Sequence, residues 1–457
     1  MTALSAKNLQ AQIVITLPQS NISQRTAFQQ TGNIGKYSYV LALLPSIFVK
    51  ATSTAFTSTL GNGTTVPLNI ARLKIQSING VLVLNNNVEI TLTQNEQDLM
   101  SSLAQLNLSG PGPVIVNFSL TTANQTWLAG SYETSLGARA TGVLGGKIEP
   151  PETHFTLNVP AFVTAPTTVG TTSLLVNNLS FYRSANGISG NTNISLSGTV
   201  PYLPTIRTNN ASQFNFSSSF PFNNTPLVPV STVNANLNGI PSATTIPLSS
   251  SDQGLTTAAS LAVPTNNNTS LAYTFSIPTT QLKNSFTQAG TYTVPLHYTW
   301  SSVPTNSTTA AQASGSLEIV VSDLSELVVN PTQQAVNFAF TTADHYKNGI
   351  SQDMPAHLRL SKTTPYNLYV RATSANFSSG TNSIPLDVMQ IGPATGETGM
   401  NTVTLSTTAQ KLIESANPVI DRNISIRYSI LASQTSKLLN KPTGTYSSNI
   451  IFSFVAP

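Results

Sequence analysis

The sequence predicts an all-β protein: three tandem immunoglobulin-like antiparallel β-sandwich domains with short helical turns. Composition, period-two alternation and three sequence blocks that each occur three times in one order carry that expectation. Of 457 residues only 8% are charged, against roughly 25% in ordinary globular proteins. Ser, Thr and Asn take the places usually held by Lys and Glu. Long exposed helices need Lys, Glu, Arg and Ala on their outer faces. Thr-rich strands closed by Asn, Gly and Pro turns do not.

The first block is Gly-Ser/Thr-Tyr before a strand-like run. It stands at Gly130-Ser131-Tyr132, Gly290-Thr291-Tyr292 and Gly444-Thr445-Tyr446, at nearly even spacing. Upstream of each lies an alternating run: Val116-Asn117-Phe118-Ser119-Leu120, Tyr273-Thr274-Phe275-Ser276-Ile277 and Ile426-Arg427-Tyr428-Ser429-Ile430. Such alternation marks a half-buried strand. Earlier still come Ile90-Thr91-Leu92-Thr93 with Gln97 and Leu99, Ile246-Pro247-Leu248-Ser249 with Gln253 and Leu255, and Val403-Thr404-Leu405-Ser406 with Gln410 and Leu412. Fixed order in triplicate signals an internal repeat.

Copies one and three share more. Phe48-Val49-Lys50-Ala51-Thr52-Ser53 matches Tyr369-Val370-Arg371-Ala372-Thr373-Ser374, and Pro67-Leu68 matches Pro385-Leu386. Each unit is expected to open with a strand ending at a proline: Ile13 to Leu17, Phe155 to Val159 and Leu327 to Val329. Proline is tolerated at strand ends, where no ladder donor is lost. The expected units are residues 11–146, 147–322 (divergent, with an extra hairpin) and 323–457. Short helical turns are expected at Asn95 to Ser102 and Thr408 to Ser415. The Tyr of each Gly-Ser/Thr-Tyr is read as structural: its ring packs in the core and its hydroxyl bonds a loop backbone, while the Gly supplies an unusual backbone angle.

Chemistry is scarce. With no Cys, disulfides, thiolate metal sites and Cys nucleophiles are excluded. Twenty basic residues against 16 acidic ones leave a dilute +4, scattered singly, so no nucleic-acid partner is expected. No stretch reaches the about 20 apolar residues of a membrane span. The longest, Tyr39 to Val49, carries Pro45. The N-terminal run to Gln12 reads either as the tail of a trimmed secretory signal or as an ordinary loose terminus. Asp344, His345, Asp353 and His357 form the best titratable cluster, but their spacing fits no zinc or EF-hand pattern. They are read as a solvated loop and strand edge. Gly392 to Gly399 is Gly-rich but lacks a phosphate-binding Lys. No carboxylate pair recurs among the copies. The expectation is therefore no enzyme, no cofactor and no metal.

The C-terminal Pro442-Thr443-Gly444-Thr445-Tyr446-Ser447-Ser448-Asn449-Ile450 resembles the last strand of bacterial spore-coat-U or Csu-type pilin domains. The composition resembles secreted surface proteins of the Bacteroidetes type. The resemblance covers about the last 20 residues of each unit. It implies an extracellular, secreted or cell-surface sandwich protein used in fibres or attachment. Three tandem domains without Cys depart from those pilins, and chaperone-usher assembly is not carried over.

The leading functional expectation is a non-enzymatic structural or adhesive protein, a surface-fibre or pilus-like subunit. It would self-associate or join other fibre subunits by strand addition. Ile13, Val14, Ile15 and Leu17 are the candidate donor strand, although a self-complete rod is the favoured form. The rival is a glycan-binding protein, with Trp127 and Trp300 as candidate ligand platforms.

Overall fold

The computed structural model describes residues 12–39, 46–82, 88–100, 111–141, 145–305 and 307–455. The N-terminal run before Gln12 and the centre of the Tyr39 to Val49 stretch lie outside them. Buried apolar residues fall into three clusters, reaching from Ile13 to Phe162, Val163 to Val321 and Met354 to Ile430. Each cluster lies between two sheets, as expected of an all-β sandwich.

The first sheet pair holds β1 (Gln12–Thr16), β2 (Phe28–Tyr39), β3 (Ser46–Ala51), β4 (Gln97–Met100), β5 (Gly112–Leu120), β6 (Gly130–Thr141), β7 (Gly146–Glu149) and β8 (Glu152–Val159). One sheet runs β1-β8-β6-β3-β4, and the other runs β7-β2-β5 before Ala71–Ile78. β8 is antiparallel to β6 and parallel to β1. The alternation explains the burial. Val116, Phe118 and Leu120 of β5 point inward, as do Phe155, Leu157 and Val159 of β8. The Phe155 ring meets Phe56 and Phe118 edge-on at 5.1 and 5.2 Å. Burying such rings stabilises the pair by about 1.5–3 kcal/mol each.

The second pair holds β9 (Val163–Thr164), β10 (Thr168–Val176), β11 (Ile188–Gly198), β12 (Tyr202–Thr208), β13 (Asn268–Ile277), β14 (Gly290–Ser302) and β15 (Ala311–Val321). Its sheets run β10-β15-β14-β12 and β9-β11-β13. Again the outer strand β10 is parallel to β15. The third pair holds β16 (Ser325–Val329), β17 (Gly349–Lys362), β18 (Tyr366–Ala372), β19 (Gln410–Ala416), β20 (Val419–Leu431) and β21 (Ile450–Val455). Its sheets run β16-β17-β20 and β19-β18-β21.

The repeated blocks occupy equivalent places. The N–H of Ala51, Thr208 and Ala372 donates to Thr93, Ser249 and Ser406 in turn, at 2.8, 2.8 and 2.9 Å. The block Gln braces the same turn twice: Gln97 Nε2 donates to Thr93 Oγ1 and Gln410 Nε2 to Ser406 Oγ, both at 3.1 Å.

Three expectations are corrected. The described parts of the segments expected as helical turns hold strands, β4 and β19, because Leu99 and Leu412 bury fully when the segment pairs with its neighbour, while Ser101 and Ser102 lie outside the described residues. The short turns sit instead at Leu68–Ile70, Val230–Thr232 and Leu386–Val388, each after a proline. Phe155 to Val159 does not open the second unit. It belongs to β8, which closes the first pair between β1 and β6. The β14/β15 hairpin is likewise not an addition to the middle copy, since β6 and β8 form the same arrangement.

Candidate strand-docking site

The Gly-Ser/Thr-Tyr motif shows what each pair does with its central strand. Tyr132 Oη donates to the Leu128 carbonyl at 2.8 Å, Tyr292 Oη to Gln288 at 3.0 Å and Tyr446 Oη to Pro442 at 2.9 Å. The hydroxyl thus reaches back four residues in all three copies. Tyr132 and Tyr292 are fully buried, and burial pushes both phenols up. Gly130 and Gly290 take φ of +149° and +151°, conformations that favour glycine. Each opens its strand directly, β6 at Gly130 and β14 at Gly290.

The third copy differs. Tyr446 is partly exposed, and the strand begins only at Ile450, preceded by a single bridge between Ser447 and Ser378. The cause lies in the neighbours. β6 is paired on both sides, by β8 and β3, and β14 by β15 and β12. β21 pairs with β18, Ala372 opposite Ile450. No strand among the described residues lies along its other edge. Ile450, Phe452 and Phe454 point at the third core yet are only partly buried. Their counterparts by register, Leu136, Ala138 and Ala140 in β6 and Leu296, Tyr298 and Trp300 in β14, are all buried, at 8% exposure or less.

A second segment packs on the same core. Val336, Phe338 and Phe340 alternate with exposed Ala335, Asn337 and Ala339, and their side chains pack on the third core. This alternation is that of a strand, but residues 334–340 form no ladder with any described strand. They stand between β16 and the short helix Ala343–Asn348, as β10 stands between β9 and the helix Ser180–Arg183. β10 is paired to β15. Among the described residues the third pair has no counterpart of β8 or β15.

The other sequence candidates are resolved plainly. Trp127 and Trp300 are fully buried, so neither ring offers a face to a sugar, and both are corrected to core residues. Trp127 is fixed by Nε1 donating to the Thr122 carbonyl and by its own N–H donating to Asn267 Oδ1. Trp300 lies parallel to Tyr298 at 6.2 Å. Ile13, Ile15 and Leu17 are buried in the first core, with Val14 outward, and β1 is paired to β8. The candidate donor strand is therefore an integral edge strand, not a free one.

The titratable residues of the third copy do not converge. Asp353 takes a two-pronged ion pair from Arg427 at 2.6 and 2.8 Å, which holds its carboxyl down at about 2. His345 Nδ1 accepts from the Thr341 N–H. His357 is buried rather than solvated, 3% exposed, with Nε2 3.0 Å from Tyr428 Oη and Nδ1 3.3 Å from Gln333 Oε1. Burial lowers its pKa. A bulge at Pro355 and Ala356 turns it inward, a feature that one-sequence alternation does not reveal. No group of three metal-ligating side chains forms among the described residues.

No family model matches the sequence, and no curated protein matches it. Among solved structures, the chain is similar in fold to pilin and adhesin subunits. One is a chain of the CsuC-CsuE chaperone-tip adhesion subunit pre-assembly complex from archaic chaperone-usher Csu pili of Acinetobacter baumannii: 16% identity, TM-score 0.33, 64% of this chain and 99% of that one. Another is CfaE, the adhesive subunit of CFA/I fimbria of enterotoxigenic Escherichia coli: 11% identity, TM-score 0.28, 70% of this chain and 100% of that one. A third is the CupB6 tip adhesin from Pseudomonas aeruginosa: 11% identity, TM-score 0.25, 64% and 91%. These likenesses are low in both measures, and the functional reading rests on the pairing of β21.

Proposed function

We propose that the chain is an extracellular structural or adhesive subunit of a surface fibre, built of three sandwich units at about 12–160, 161–322 and 323–455. Its third unit accepts a strand from a partner subunit. The observation that carries this reading is the single-sided pairing of β21. An unpaired strand edge above half-covered apolar side chains is a template for strand addition. The occupant's chemistry is written twice in the chain itself. β8 offers Thr153, Phe155, Leu157 and Val159 inward, and β15 offers Gly315, Leu317, Ile319 and Val321. The incoming strand therefore runs antiparallel to β21, with a small residue opposite Ile450 and then three large apolar residues at alternate positions. The rival glycan reading loses both of its aromatic platforms, since Trp127 and Trp300 are buried.

The test uses a synthetic peptide of residues 311–321 added to the purified chain. The expected result is a rise in the melting temperature of the third unit and slowed amide exchange across 450–455. A peptide of scrambled order should do neither. Protection in the free chain of those 450–455 amides that point away from β18, or no response to the peptide, would sink the proposal.

A further inference from the structure

The two junctions inside the chain are built from the same contacts. β8 leads through 160–162 into β9, and β15 leads through 322–324 into β16. In each case a threonine in the next turn receives the link: Thr199 after β11 and Thr363 after β17, both buried. The Thr199 hydroxyl donates to the Pro160 carbonyl at 2.6 Å and accepts the Phe162 N–H at 3.1 Å. The Thr363 hydroxyl donates to the Ser322 carbonyl at 2.8 Å and accepts the Leu324 N–H at 2.7 Å. Thr199 N–H donates to Phe162 and Thr363 N–H to Leu324, both at 3.0 Å. Their carbonyls then accept the N–H of the residue just before the motif Gly of the preceding unit: Ala129 to Thr199 at 2.9 Å, Ala289 to Thr363 at 2.7 Å. Both turns read Thr-x-Pro-Tyr, as Thr199-Val200-Pro201-Tyr202 and Thr363-Thr364-Pro365-Tyr366. One threonine thus ties together the outgoing strand, the incoming strand and the motif turn.

The third unit carries the donor half of this joint. Tyr446 keeps the motif turn through Pro442. Thr443 stands where Ala129 and Ala289 stand, and it is exposed. Resting on the strand-accepting reading above, we infer that the partner subunit docks here as well as lending its strand. It does so with a whole sandwich unit whose turn reads Thr-x-Pro-aromatic and whose threonine carbonyl accepts the Thr443 N–H. The joint between subunits then repeats the joint within the chain. The partner is thereby specified by chemistry: an inserted alternating strand, a link as short as 160–162, and that turn.

An extended chain permits a direct test. The full chain is extended after Val455 with a second copy of residues 303–455, which brings its own connector, β15 and clamp. Amide exchange at Thr443 is then compared with that at Ala289, whose N–H bonds the Thr363 carbonyl. The expected result is a higher melting temperature for the third unit and protection of the Thr443 amide to the level of Ala289. A stabilised third unit whose Thr443 amide still exchanges freely while Ala289 is protected overturns the repeated joint and leaves strand acceptance standing. No stabilisation overturns both. Small-angle scattering gives a second readout. One rigid particle longer by one unit is expected, and the profile of a loosely tethered fourth unit overturns the inference.

Discussion

The N–H of Ala289 donates to the carbonyl of Thr363 over 2.7 Å, which makes the turn before one sandwich core the anchor of the next. The first junction repeats this bond between Ala129 and Thr199 and adds a buried amide. Asn267, 1% exposed, donates to the Trp127 and Gly198 carbonyls at 2.7 and 2.8 Å. The second junction adds ions at the surface instead: Arg183 to Glu326 and Asp421 at 2.6 and 2.7 Å, and Lys283 to Asp421.

The two junctions should therefore respond differently to truncation. Asn267→Ala leaves the Trp127 N–H and two carbonyls without their buried partner. It should cost about 1–3 kcal/mol, independent of salt. Arg183→Ala removes partly exposed ion pairs and should cost about 0–1 kcal/mol, shrinking as salt rises. Urea denaturation at low and high NaCl measures both. Equal losses, or a salt-sensitive Asn267 variant, would contradict this account of the joints.

The motif glycines should rank in order. At Gly290 a Cβ would meet the Phe216 ring and the Ser217 carbonyl, each at 2.7 Å, with φ at +151°. At Gly130 the φ is alike but the nearest neighbour is Leu60 at 3.8 Å. Gly444 has neither feature, only the Ser379 hydroxyl at 3.1 Å. Alanine should thus destabilise most at 290, by more than the about 1–3 kcal/mol of backbone strain expected at 130, and least at 444. Thermal melts of the three variants give the ranking.

His357 should give the third unit a pH dependence. Its folded pKa is lowered by burial, so between the folded and unfolded values the unfolded chain binds more protons. Stability is complete above the ordinary imidazole value of about 6.5 and falls as pH drops below it, until the buried ring also charges. Asp353 contributes nothing in that window, because its contribution is lost only as pH falls toward about 2. Urea midpoints at pH 7.5 and 5 should differ in the parent and converge in His357→Gln. An undiminished difference in the variant would assign the effect elsewhere.

Much of the fold was legible because the repeats are physical. The period-two runs at 116–120, 273–277 and 426–430 are strands with the inward faces their spacing predicts. The Tyr hydroxyl bond was readable from its place before a late strand. What was hidden is pairing. Gly444-Thr445-Tyr446 reads like its two counterparts, and nothing local reveals that β21 has a strand on one side and theirs have strands on both. The same blindness assigned β8 to the wrong core, since Phe155 to Val159 is an adequate strand in either place. The tryptophans misled through rarity: Trp300 sits where register puts Phe454 in the third unit, a core position.

The strand Gly146–Glu149 lies along Phe28–Tyr39, Gly146 opposite Tyr39 and Glu149 opposite Lys36. In the later units that same flank of the second sheet receives the lead-in segments Val163–Thr164 and Ser325–Val329 from the unit before. At the front of the molecule the seat is already taken by the chain's own doubled-back loop. On the joint proposed above, a lead-in strand finds no free flank on the first unit's second sheet, because residues 146–149 already pair there.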